Sequence, residues 1–361
     1  IFDVLVCGDG EYAIFEALEV DSGVIDADDA KSDLFLSKQQ FSELPMPARH
    51  LVDLDTYKYN IDGFNATSLI AQLGCPFHCT FCSGRNSPFL RKIRQRSSES
   101  VLQEIEFLHK EHGFTGFMFY DDELNVNRKM VEMMNMIADY QEANDVEFRL
   151  RGFVKAELFN DEQAAAMVNA GFKWLLTGFE SGDERILRNI KKRATKEDNT
   201  RCIETAKRHG LKVKALMSIG HSGESEQSVE NTKQWLIDTQ PEEFDCTIIT
   251  TYPGSPYFDD AIKEGGHYVY SDPKNGDKLY QASLDYLTQL DFYKGDPEDG
   301  YISYVWTEHL SGNDLVVLRG QLEDEVRAKL NIPFNAARPG ITYEHSMGQS
   351  NIPASILRKT R

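Results

Sequence analysis

With 361 residues, 41% of them hydrophobic and 27% charged, the chain has material for a buried core in one large domain plus a smaller piece, or in two domains. A formal net charge of −19 argues against nonspecific nucleic-acid binding, which needs clustered Lys and Arg, and no apolar run approaches the ~20 residues of a membrane span. Six cysteines, Cys7, Cys75, Cys79, Cys82, Cys202 and Cys246, are too sparse for a disulfide framework; a metal-binding protein of the reducing cytoplasm is expected.

The chain opens on Ile1, inside an apolar run, and this predicts that sequence precedes it. Residues 2–7 read as a strand, Gly8-Asp9-Gly10-Glu11 as a turn, and the stretch to about Val20 as a helix. Residues 21–60 read as irregular and acidic, with Leu44-Pro45-Met46-Pro47 as the connector at a domain boundary. From Thr67 short apolar runs alternate with amphipathic helices. The strands are expected at 67–73, 116–120, 146–151, 173–177, 212–219 and 245–251. The helices fall at about 98–111, 127–142, 161–170, 183–189 with 196–209, and 224–239. The first helix buries Val101, Ile105 and Leu108, with Ser98 or Ser100 as its cap and Ser100-x-x-Gln103 as a capping box. A basic stretch, 85–96, reads as a solvated loop or a local anion site.

Six strand–helix units imply parallel pairing and right-handed crossovers. They fall short of the eight that close a barrel. The expected fold is α/β, an open partial (β/α)6 barrel with its chemistry at the carboxyl ends of the strands. After about residue 265 the pattern weakens; one clear helix, 312–330, lies among polar, aromatic-rich connections that read as a cap.

At the end of the first strand lies Cys75-Pro-Phe-His-Cys79-Thr-Phe-Cys82. Three thiolates on one short loop can ligate three irons of a cubane cluster and leave the fourth iron open. A zinc site competes, but zinc wants a fourth Cys or His, and His78 sits cramped between two of the cysteines. Later strand ends carry further polar groups: Asp121-Asp122-Glu123, Arg151, Glu180-Ser181-Gly182, Gly220-His221-Ser222-Gly223-Glu224 and, within the sixth strand, Cys246. Each has a plainer reading. The acidic turn could cap a helix, Arg151 could serve a salt bridge, His221 could bond turn backbone, and Cys246 could be a small buried residue.

The cysteine spacing, with Phe81 before the last cysteine, resembles the signature of the radical S-adenosylmethionine superfamily. The strand-end motifs extend the resemblance over roughly 44–258. It implies a 4Fe-4S cluster on Cys75, Cys79 and Cys82 whose open iron binds the amino and carboxylate groups of S-adenosylmethionine. An electron from a donor such as flavodoxin or ferredoxin would then break the S–C5′ bond. Phe81 would lie beside the adenine, Asp121, Asp122 and Glu123 would meet the methionine ammonium, and Arg151 its carboxylate. Glu180 and Ser181 would take the ribose, and Gly220 would lie under the adenine. His221 stands where the family commonly has proline and would be a proton donor.

The run Asp3-Val4-Leu5-Val6-Cys7-Gly8-Asp9-Gly10-Glu11 looks like the last strand and turn of the cobalamin-binding domain that precedes this barrel in one branch. The resemblance therefore implies three parts: a remnant of that domain at 1–43, the partial barrel at 44–264, and a substrate-covering cap at 265–361. Cobalamin is implied as a further cofactor whose site this chain alone leaves incomplete. Two reactions on a small organic molecule follow. One is cobalamin-dependent methyl transfer; the other is cobalamin-free epimerisation or dehydration, with Cys246 pointing into the barrel as a hydrogen-atom donor. A zinc-stabilised binding module is the non-enzymatic alternative.

Overall fold

The structure, a computed structural model, describes residues 2–54, 57, 59–284 and 302–333, with the backbone of 349–350. At the N-terminus β1 (Val4–Gly8), α1 (Gly10–Ala17) and β2 (Gly23–Ala27) form one βαβ unit with the two strands parallel. The second strand falls in a segment whose sequence reads as irregular, because Gly-Val-Ile-Asp-Ala is too short to show a period. Next, β3 (Tyr59–Ile61) and β4 (Phe64–Leu69) form a tight hairpin through Asp62 and Gly63. Both turn residues have positive φ, the geometry that matches strand twist in two-residue hairpins.

The alternation expected from the sequence then appears. It runs α2 (Ser98–His112), β5 (Gly116–Phe119), α3 (Met130–Asn144), β6 (Arg149–Phe153), α4 (Asp161–Asn169), β7 (Phe172–Glu180), α5 (Glu184–Asn189), α6 (Lys196–Arg208), β8 (Lys212–Ile219), α7 (Glu226–Thr239) and β9 (Glu243–Ile248). Strands β4 to β9 pair in parallel, in chain order, within one open sheet. This is the partial six-unit barrel. Its outer face is apolar: Val101, Ile105 and Leu108 of α2 share a core with Phe117, Phe119, Met133, Ile137 and Phe148.

Element ends differ from the sequence reading for identifiable reasons. The first barrel strand stops at Leu69 because Asp121 Oδ1 accepts the N–H groups of Ala71 (2.8 Å) and Gln72 (3.1 Å). Those donors are lost to the ladder, and Gln72–Leu73 pairs antiparallel with Arg94–Gln95 instead. The cap of α2 is Ser97, whose Oγ accepts from Ser100 N–H, rather than Ser98 or Ser100. Strand β6 runs on to Phe153, so Arg151 sits at its centre and not its end.

The C-terminal region contains a sheet that the sequence reading missed. Strands β10 (Ile262–Glu264), β11 (His267–Ser271), β12 (Lys278–Ala282) and β13 (Val305–Thr307) form an antiparallel meander. The expected helix is α8 (Gly312–Leu330), opened by a Ser311/Asp314 capping box. It packs on β9 through a buried polar seam. Glu323 accepts from Cys246 N–H (2.8 Å), Arg319 donates to Cys246 O (2.9 Å), and Arg327 donates to Phe244 O (2.6 Å). Residues 285–301, 334–348 and 351–361 of the expected cap lie outside the described residues.

Glu323 also pairs with both Arg319 and Arg327, so Glu323→Ala removes the carboxylate that two buried guanidinium groups share and leaves Arg327 the more distant Asp245, at 3.6 Å. We expect a loss of about 3–5 kcal/mol in urea denaturation. Lys329→Ala, exposed on the same helix, should stay within ~0.5 kcal/mol.

Candidate active site

The chain leaving β4 builds the cysteine loop. Gly74 turns at φ +92°, and a Cβ there would meet Lys92 O at 2.3 Å; only glycine fits this approach. Its N–H donates to Asp122 Oδ2 (2.9 Å), and Cys75 N–H donates to Leu90 O (2.9 Å). Further on, Thr80 N–H donates to Ile190 O (2.9 Å) and Thr80 O accepts from Tyr257 N–H (3.1 Å). The loop is thus held from both sides by backbone bonds.

Cys75, Cys79 and Cys82 are all free thiols. Burial pushes the Cys75 thiol up to about 12. Burial also raises Cys79, against the pull of the Lys192 and Lys155 ammonium groups. Thiolates here need cations to replace their protons, which is what a metal cluster supplies. Among the described residues no three His, Cys, Asp or Glu side chains are drawn together closely enough to hold a metal ion, the three cysteines included. His78, the fourth ligand that zinc would need, stands 3.0 Å from the Arg91 guanidinium. Three free thiols on one loop fit a multi-iron cluster.

The acidic turn divides its labour. Asp121 is buried and accepts two backbone N–H groups, while Asp122 is exposed and accepts one, from Gly74. Glu123 is left half-buried, its carboxyl raised to about 7 by burial against the pull of Lys192 and Lys155.

Opposite stands Glu180, the last residue of β7, at φ +64°. A non-glycine residue there is strained, and such strain collects at functional sites. Lys192 Nζ donates to Glu180 Oε1 (3.0 Å) and Ser218 Oγ donates to Oε2 (2.9 Å). Burial is the largest influence and would raise this carboxyl, but the Lys192 charge together with the hydrogen bonds from Lys192 and Ser218 outweighs it and holds Glu180 below its ordinary range. Gly178 leaves the room: a Cβ there would strike Glu180 Oε1 at 2.5 Å.

His221 Nε2 lies 2.8 Å from Ser218 Oγ. Since Ser218 spends its proton on a carboxylate, it must accept from Nε2–H. Burial lowers His221 to about 4, so the ring is neutral, and Nδ1 carries no proton and no partner among the described residues. The expected proton donor is therefore a neutral acceptor whose one N–H is already committed. Its ring centre lies 5.4 Å from that of Phe81.

Other expected residues lie elsewhere. Ser181 Oγ turns to Thr232 Oγ1 (3.0 Å) on α7. Gly220, at φ +90°, spends its bare face on packing; a Cβ would press on Val305 at 3.2 Å. Arg151 is buried and bonds the Tyr59 phenol. Cys246 is fully buried; its register partner is Met217, next to the Ser218 that faces Glu180, so it takes the opposite, outer face of β9. Its backbone is bracketed by Arg319 and Glu323. That corrects the expectation that it points into the barrel. Three contributors went unread: Lys192, Lys155 and Ser218. Lys192 follows Lys191 with nothing in the local pattern to separate a buried ammonium from an exposed one.

Residues 69–236 match the family model of the Radical SAM superfamily. An uncharacterized methyltransferase of Pyrococcus horikoshii is 32% identical over 224 residues, covering 62% of this chain and 48% of that protein. The anaerobic magnesium-protoporphyrin IX monomethyl ester cyclase of Cereibacter sphaeroides is 24% identical over 284 residues, covering 74% of this chain and 46% of that one. The chain thus spans about half the length of these relatives. Among solved structures, a radical S-adenosylmethionine methyltransferase from Kitasatospora setae superposes with a TM-score of 0.55 at 17% identity, covering 78% of this chain and 54% of that one. At that identity the likeness is one of fold.

Glu224 gives a pH test. Burial raises its carboxyl to about 7, above its unfolded value of about 4.3. The folded state holds the extra proton between those values, so this group's stabilisation is full below pH ~4 and is lost as pH rises toward 7. Glu224→Gln should flatten that fall, changing the difference from wild type by on the order of 2 kcal/mol between pH 5 and 8. Urea midpoints of the metal-free protein would measure it.

Proposed function

Because residues 69–236 form a radical SAM domain, we propose that the chain reductively cleaves S-adenosylmethionine at a 4Fe-4S cluster on Cys75, Cys79 and Cys82, and that it modifies a small organic molecule by methyl transfer. The observation that carries this reading is the strained, ion-paired Glu180 on the same buried lysine that faces Cys79. The cluster, when bound, supplies one electron and an open iron.

The chain's own residues do the rest. Lys192 and Lys155 place positive charge beside Cys79, which stabilises thiolate donors. Glu123 is assigned to the methionine ammonium, while Asp121 Oδ1 and Asp122 Oδ2 hold the backbone of the cysteine loop's approach. Glu180 presents an oriented carboxylate to the ribose hydroxyls, held by Lys192 and Ser218. Phe81, backed by His221, offers an apolar face to the adenine. The open sheet gives a small-molecule substrate access at the carboxyl ends of the strands.

Methyl transfer is favoured over rearrangement on two grounds. The relatives include proteins named as methyltransferases, and the outward-facing Cys246 offers no hydrogen atom to the barrel. Cobalamin dependence is supported by the N-terminal βαβ unit.

Anaerobic iron–sulfur reconstitution followed by dithionite and S-adenosylmethionine tests the reading. Wild-type protein should bind about four irons and release 5′-deoxyadenosine, detected by mass spectrometry. Cys75→Ala, Cys79→Ala and Cys82→Ala should lose iron and turnover together. Glu180→Gln should keep its iron and weaken S-adenosylmethionine binding about tenfold. Uptake of one zinc and no iron by the wild type would sink the proposal.

A further inference from the structure

The buried ion pair Asp9–Arg94 has no part in the site described so far. Both side chains are fully inaccessible. Arg94 Nη1 donates to Asp9 Oδ1 (2.6 Å) and to Oδ2, and Nη2 donates to Phe89 O (3.0 Å). Leu36 N–H also donates to Asp9 Oδ2 (2.8 Å). The guanidinium carbon lies 5.2 Å from the ring centres of Phe35 and Phe89 and 5.8 Å from that of Phe41. Such a cage suits a weakly hydrated planar cation.

The location gives the pair its meaning. Asp9 follows the carboxyl end of β1, and Asp28 follows the carboxyl end of β2. Asp28 Oδ1 accepts from Ser87 Oγ (2.9 Å) and from Phe89 N–H (2.7 Å). Both strand ends of the N-terminal unit therefore grip one segment, 87–94. That segment is the return arm of the cysteine loop. Leu90 O receives the Cys75 N–H, Lys92 O lies against Gly74, and Arg94 pairs with Leu73 across the short ladder. Open α/β sheets bind ligands at the carboxyl ends of their strands; here those ends are spent on a neighbouring catalytic loop.

We propose that Asp9, Arg94 and Asp28 are positioning residues that set the cysteine loop from the N-terminal βαβ unit. The inference rests on the cluster reading of that loop only for its consequence, not for its mechanics. A buried pair replaced by apolar residues of similar volume often leaves a fold intact, whereas removal of one partner does not. The test is therefore the double variant Asp9→Leu/Arg94→Met, beside the half-buried single variant Asp28→Ala. Amide hydrogen exchange is followed at 87–94 and at β8 (Lys212–Ile219), together with S-adenosylmethionine affinity and the change it causes in the electron paramagnetic resonance spectrum of the reduced cluster.

Both variants should exchange at least tenfold faster at 87–94 with β8 unchanged. They should bind iron fully, with S-adenosylmethionine affinity about tenfold weaker and its spectral perturbation reduced. A folded double variant with wild-type exchange at 87–94 and unchanged affinity overturns the proposal. If the double variant fails to fold, unchanged exchange and affinity in Asp28→Ala overturn it. If the wild type takes up no iron, the cluster reading fails, while the exchange comparison still decides the coupling.

Discussion

A buried lysine organises this site. Lys192 lies almost wholly out of water, where an unpaired ammonium would cost several kcal/mol. Burial tends to neutralise it, but the ionised Glu180 beside it, with Cys79 and Glu123, favours the charged form, and its pKa rises instead. These acidic groups feel its charge in turn. Glu180 stays ionised against burial because Lys192 is paired to it, and Lys192 heads the forces that lower the thiol of Cys79. Two buried lysines, Lys192 and Lys155, thus sit among the carboxylates that border the cysteine loop. The strained backbone of Glu180 fits the same picture: a φ of +64° persists only where the surroundings over-determine it, and here Lys192, Ser218 and the bare Gly178 do so.

The partial barrel was legible from the sequence because its outer face obeys helix and strand periods. Strand β8 and helix α8 fall where the pattern put them, 212–219 and 312–330. The cysteine loop was legible because three thiols at that spacing have few other uses. What stayed hidden was set by long-range partners. The early end of β4 depends on Asp121, about fifty residues away. The face taken by Cys246 depends on the register that sets it beside Met217 and sets Thr247 beside Ser218, since a single cysteine in a strand reads alike whichever face it takes. The meander β10–β13 was missed because its strands are short and polar, with a burial alternation that only α8 and the barrel impose.

His221 shows the same limit at the level of protons. Its position in a Gly-rich turn at a strand end suggested a proton donor. Buried against Phe81 and Tyr257 and tied to Ser218, it is a neutral ring with its proton on Nε2. The chain Lys192–Glu180–Ser218–His221 therefore runs in one direction: every proton is donated toward the Glu180 carboxylate. A group placed so is suited to holding Glu180 still and unsuited to giving a proton away.

The open edge of the barrel follows from a second charge arrangement. Strand β3 pairs with β4 only at residues 64 and 65, so the outer edge of 66–69 would be left with unpaired backbone, a liability in any sheet. Arg49 donates to Ser68 O (2.8 Å) and Arg96 to Ile70 O (3.1 Å). Both arginines are anchored by the buried carboxylate of Glu104 on α2. Side chains, not a further strand, close the edge. A strand would have filled the space alongside; guanidinium groups leave a cleft of about 400 Å³, lined by Phe41, Leu44, Pro47, Ile70 and Tyr120, between the N-terminal unit and the carboxyl ends of β4 and β5. Arg49 and Arg96 thus satisfy the backbone of an incomplete barrel while keeping its flank accessible, and the sheet stays open for the same reason that it stays stable.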